Sequence, residues 1–317
     1  MEKTSPPETF SIMNVDDFAK LFGTSSSEVL ECCSEELASL DPHYRVLAGD
    51  ERDQVLLQVL AKIDDPGTPE SGTSRLPDWE RGWGENLDEF VRSGYDIEKL
   101  VPKYFKKNVP ARFMGEYILP IDPQFVLVCT RMFRRWIFGR YLAPYDTIYE
   151  FGCGPATHLA FLAQNYPGKK LVGLDWARPS QEIISLLAQH RGWDIEGRHF
   201  DFFHPDPTLR LAPRSAVYTF GALEQVGGRH GEFLDFLLRE KPAICVNVEC
   251  LCEYYDASRL SDYLALRYHR RKKYLDGYLT RLKELEARGR IEILASHHQR
   301  FGNMYDDSNS YVVWRPL

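Results

Sequence analysis

The sequence predicts an α/β protein: a seven-stranded, mostly parallel sheet with an antiparallel last strand, preceded by a mainly helical N-terminal region. Three observations carry this. From about residue 146 onward, apolar runs of strand length alternate with stretches of helical length, the pattern of successive βαβ units. The last two apolar runs, RIEILAS and SYVVWRP, have no helix between them, so they should pair antiparallel. Residues 1–121 differ in texture, being rich in acids, prolines and short helical patterns, which divides the chain into 1–121 and 122–317.

Taken in order, Asp16 to Phe22, Ser26 to Leu40 and Asp53 to Ile63 have helical patterning. DDPGTPESGTSRLP (64–77) concentrates Gly, Pro, Ser and Thr and must be a loop. DWERGWGENLDEF (78–90) places Trp79 and Trp83 among charges, as clips for the N-terminal region or as lining of a substrate mouth. A helix spanning 120–142 starts at Asp122–Pro123, an N-cap followed by proline. Strand TIYEF then precedes a glycine turn and a helix over 156–166. Strands KLVGLD, GRHFD, SAVYTFG and AICVNVE follow, with helices over 180–190 and 231–240 among them. One long helical stretch, 257–288, stops at Gly289 before the two closing strands.

Bulk composition narrows the function. The chain has 317 residues, 44% of them hydrophobic, enough for a large core or two domains. A net charge of −7 provides no electrostatic footprint for nucleic acid. The N-terminus has no basic-then-apolar leader pattern and no apolar run approaches membrane-spanning length, so a cytoplasmic protein is expected. Seven cysteines form neither a regular framework nor paired C-x-x-C sets, so reduced thiols and no metal site are expected.

The chemistry centres on IYEFGCGPATH (148–158): a strand, an acid, two glycines one residue apart, and a helix start. In open α/β sheets ligands bind beyond the carboxyl ends of the strands, where the strand order reverses. A dinucleotide turn has a third glycine and receives a pyrophosphate. Here Thr157 stands at that third position, and Glu150, two residues before Gly152, would oppose a pyrophosphate and suit a cationic ligand.

This arrangement resembles motif I of the class I S-adenosylmethionine-dependent methyltransferases, with Ala156 in place of the usual last glycine. The resemblance spans about 146–317 and implies that family's fold and cofactor. It implies that Glu150, Gly152, Gly154 and Thr157 lie at the cofactor. Asp175 would accept from the ribose hydroxyls, with Trp176 against the adenine. Asp201, followed by Phe202, would face the adenine amino group, and Gly221 and Leu223 in TFGALEQVG would pass the methionine portion. The order FGCG, GLDW, GALEQVG is also similar to a group of bacterial methyltransferase-like proteins.

The resemblance implies O- or N-methylation of a small-molecule acceptor, expected in secondary or cell-surface metabolism. Candidates for a general base are Glu224, His230 in GGRHG, Glu249 at the end of the fifth strand, and His269. HRRKK (269–273) is either a solvated helical face or, through a subset such as His269 with Lys272 or Lys273, a site for an anionic acceptor. The loop SHHQRFGNMYDD (296–307) should help shape the acceptor pocket. The N-terminal region is either a cover over the site or a homodimerisation element. Non-methyl chemistry with the same cofactor, a nicotinamide-dependent oxidoreductase, and a non-catalytic interaction role are the rival functions.

Overall fold

The computed structural model describes residues 10–317. The N-terminal region holds strands β1 (Ser11–Ile12), β2 (His43–Val46), β3 (Ala111–Phe113) and β4 (Glu116–Pro120). Its helices are α1 (Val15–Phe22), α2 (Ser26–Ser39), α3 (Gly49–Asp64) and α4 (Leu76–Arg92). Helix α5 (Phe125–Tyr141) leads into β5 (Thr147–Phe151), α6 (Thr157–Asn165), β6 (Lys170–Asp175), α7 (Arg178–Arg191) and β7 (Ile195–His199). Then come β8 (Ala216–Phe220), α8 (Gly231–Glu240), β9 (Ile244–Glu249), α9 (Leu260–Lys272), α10 (Tyr278–Ala287), β10 (Ile291–His297), β11 (Phe301–Asn303) and β12 (Ser310–Pro316).

The main sheet runs β10-β12-β9-β8-β5-β6-β7. Within it only β12 opposes its neighbours, pairing antiparallel with both β9 and β10. The order reverses at β5, which lies between β6 and β8, so a crevice opens beyond the carboxyl ends of β5 and β8. The glycine turn and Gly221 stand at those two ends.

Two features depart from the sequence expectation. The 257–288 stretch is broken: Lys273 and Gly277 adopt left-handed backbone, at φ 52° and 75°. Ser71 meets the end of α9, its N–H donating to the Lys272 carbonyl (2.7 Å) and its hydroxyl to that of Lys273. Leu275 in the break is buried. The N-terminal region also carries a five-stranded antiparallel sheet, β1-β2-β4-β3-β11, whose edge strand β11 comes from the loop between the last two main strands.

The two regions share one core. Phe18, Phe22 and Val29 pack in the same buried cluster as Phe133, Trp136, Tyr311 and Val313. Phe22 stacks on Trp136 with ring centres 5.8 Å apart. Fully buried Arg112 on β3 adds a polar tie, with Nη2 2.8 Å from Asp262 of α9 and Nε 3.0 Å from Asp307. Pairing with carboxylates is what makes a buried guanidinium tolerable.

Candidate functional site

The crevice at the switch point is a cleft that, counted with its open mouth, encloses about 530 Å³. Gly152, Gly154 and Gly221 form its floor, Asp175 and Trp176 one end, and Phe200, Phe202 and Phe203 a side. Trp79 and Trp83 of α4 form the opposite wall, stacked at 5.3 Å and 22°. The tryptophans therefore line the cleft and do not merely clip the N-terminal region.

Glycine is required at the floor. Gly152 has φ 75°, and a Cβ there would come within 2.4 Å of the Ala222 side chain. At Gly154, φ is 50° and a Cβ would press on the Trp83 ring at 3.1 Å. Ala156, at φ 60°, takes the left-handed conformation where the resemblance has glycine.

Asp175 accepts from the backbone N–H groups of Gly154 and Ala177, both at 2.8 Å. Burial pushes its carboxyl up to about 6 against the pull of those bonds. A carboxylate offers about four lone-pair positions, so two N–H donors leave capacity for ligand hydroxyls. Glu150 is 1% exposed, and its Oε2 has no hydrogen-bond partner. Burial first, and then the Asp175 charge, hold it well above the usual carboxylate range, while the neighbouring Tyr218 hydroxyl and then Arg134 pull the other way. Arg134 leaves Nε unpartnered and lies over the Phe161 ring at 4.2 Å. Half-buried His158 leaves Nδ1 unpartnered and stacks on Phe220 at 4.4 Å.

Among the residues expected at the cofactor, Gly152, Gly154, Asp175, Trp176, Phe202 and Gly221 line the cleft. Glu150 lies buried in β5 just before it, and Thr157 begins α6. Two are corrected. Asp201 turns into its own loop, accepting from the Phe203 N–H at 2.8 Å and paired with His204 at 2.9 Å. Leu223 is fully buried in the core beneath the cleft. Trp79, Trp83, Phe200, Phe203, Gln225 and Val226 complete the lining and were not singled out as cofactor residues.

The candidate bases separate by environment. Glu249 is fully buried and accepts from the Ala222 and Glu224 N–H groups (3.2 and 3.3 Å), which fixes the turn and leaves it no open face. His230 precedes α8 and holds the Asp276 carbonyl through Nε2 at 3.0 Å, a loop tie away from the cleft. Both hold backbone groups of neighbouring loops. Glu224 and His269 fall instead into a second polar group beside the cleft. The basic run is largely consumed: Arg271 pairs with Glu70 and donates to the Asp65 and Pro66 carbonyls, and Lys273 also pairs with Glu70. Among the described residues, no three His, Cys, Asp or Glu side chains converge as a metal site, and no helix is long and apolar enough to cross a membrane.

The strand order, the single antiparallel strand and the cleft at the switch point define the fold of the class I S-adenosylmethionine-dependent methyltransferases. No protein-family model and no curated protein matches the chain. Solved structures resemble it at the level of fold. One is the O-methyltransferase NcsB1 of neocarzinostatin biosynthesis, in complex with S-adenosylmethionine and a naphthoic acid: 15% identity over 76% of this chain and 70% of that one, TM-score 0.42. Another is the 8-amino-8-demethyl-D-riboflavin dimethyltransferase RosA of Streptomyces davawensis: 16% identity over 96% and 89%, TM-score 0.41. A third is the [4+2]-cyclase SpnF: 14% identity over 78% and 96%, TM-score 0.48.

Proposed function

We propose that the protein is an S-adenosylmethionine-dependent methyltransferase acting on the oxygen or nitrogen of a small-molecule acceptor, in secondary or cell-surface metabolism in the cytoplasm. The observation that carries this reading is Glu150, a buried carboxyl with an unpartnered oxygen beside a glycine floor. An unpaired buried carboxyl is costly, and a ligand ammonium group repays it. Arg134 and His158, each with an unpartnered ring or guanidinium nitrogen, suit the carboxylate of the same amino-acid moiety. Asp175 would accept from a ribose diol, and the aromatic walls would take a purine.

When bound, the cofactor supplies a methyl group activated on a sulfonium. The protein's part is to fix the amino-acid and nucleoside ends, exclude water with α4, and align the acceptor. The test is transfer of labelled methyl from S-adenosylmethionine into a pool of cellular small molecules. Labelled product with wild type, and a strong loss with Glu150→Gln, is expected. Tight cofactor binding with no labelled product would favour non-methyl chemistry in the same cleft.

A further inference from the structure

Beside the cleft lies a polar group that the cofactor reading does not use. Glu224, in the turn whose neighbours Ala222, Gln225 and Val226 line the cleft, receives the Gln225 side-chain amide at 2.9 Å and a long Cys250 thiol contact at 3.7 Å. Asp306, 4% exposed, holds His269 Nε2 at 3.1 Å and accepts from Asn303 at 2.8 Å. His269 is 3% exposed, and its Nδ1 has no partner. Tyr268 stacks on Tyr305 at 4.8 Å and meets Tyr274 edge-on at 5.9 Å. Lys272 lies over the Tyr274 ring at 5.3 Å.

We propose that this group is the acceptor site, that it takes an uncharged hydroxyl-bearing molecule, and that Glu224 receives the hydroxyl proton. The proposal rests on the methyltransferase reading above. Of the basic run, Lys272 is the residue close enough to act on Glu224, while Arg271 and Lys273 are held by Glu70. Once Glu224 has lost its proton, an anion would meet two carboxylates there, whereas hydroxyls are natural donors to carboxylate and imidazole, and tyrosine faces cover an apolar frame. In the transfer the acceptor O–H bond breaks and its proton passes to Glu224. The oxygen lone pair forms the new O–C bond, and the C–S pair stays on sulfur, which becomes neutral.

Glu224 suits this role electrostatically. Burial, then Asp306 and Glu249, raise its carboxyl to about 8, while Gln225 and Lys272 oppose the rise. Cys250, with Tyr268 and Tyr274, completes the titratable groups facing it, all held neutral by burial. A base near the working pH is effective, and general-base catalysis typically contributes about 100-fold or more.

The experiment uses the full chain and its Glu224→Gln variant, matched for melting temperature. Calorimetry with S-adenosylhomocysteine comes first, with affinities within about twofold expected. A cellular small-molecule pool, divided by ion exchange into neutral, cationic and anionic fractions, is then incubated with labelled S-adenosylmethionine. The neutral fraction should be labelled as an alkali-stable ether, with activity rising through pH 8 and falling about 100-fold in the variant. Label in the anionic fraction, an alkali-labile ester, no label in any fraction, or a variant with wild-type activity and pH profile would each overturn the proposal. Failure of the wild type to bind S-adenosylhomocysteine would instead remove the methyltransferase reading beneath it.

Discussion

At Glu150 a fully buried carboxyl waits without a partner for one oxygen. Its recognition of an ammonium group should appear as ligand discrimination. Wild type should prefer S-adenosylhomocysteine over 5′-methylthioadenosine, which lacks the amino-acid end, and Glu150→Gln should erase about 10- to 100-fold of that preference. Competition calorimetry with the two ligands checks this. The same residue has a stability signature. Its folded-state value lies well above 4.5, so its stabilising contribution is complete below the unfolded value and is lost as pH rises toward the folded one. The Gln variant lacks that loss, so its melting temperature should gain on wild type between pH 5 and 8. A constant difference across that range would contradict the assignment.

At the scale of elements, α4 does what its polar sequence conceals. Charged residues cover most of it, yet Trp79 and Trp83 form the wall of the cleft and Trp83 lies against Gly154. Trp83→Ala should weaken S-adenosylhomocysteine binding about tenfold and remove most of the tryptophan fluorescence change on binding, since aromatic contacts contribute about 0.5–1.5 kcal/mol beyond area. Much of the βα framework was legible because alternating patterning fixes strand ends, and strand ends fix the glycine turn, Asp175, Phe202 and Gly221. The loop bonding of Asp201 was not legible, because the direction of a strand-end carboxylate depends on the hydrogen bonds of its own loop. The break after Lys272 was hidden because its partner, Ser71, is 202 residues from Lys273 in the chain. Strand β11 is three residues long and pairs with β3 from the other end of the chain, beyond the reach of local periodicity.

For the whole molecule, the boundary near residue 121 is a change of sequence texture and not a seam. Phe22 and Val29 share a core with Phe133 and Val313, and Arg112 joins the N-terminal sheet to α9. Deleting residues 1–119 should therefore abolish cooperative unfolding, because each large side chain uncovered forfeits about 1.5–3 kcal/mol. A truncated chain with a sharp thermal transition and native near-ultraviolet dichroism would contradict the single-core account and restore a separable N-terminal module. The central claim, that the switch-point cleft holds an S-adenosyl cofactor, is tested most directly by calorimetric titration of the full chain with S-adenosylmethionine, S-adenosylhomocysteine and NADH. Binding of both sulfur ligands in the micromolar range, with none of NADH, is the predicted result. A folded protein that binds neither sulfur ligand, or that binds NADH more tightly, would contradict it.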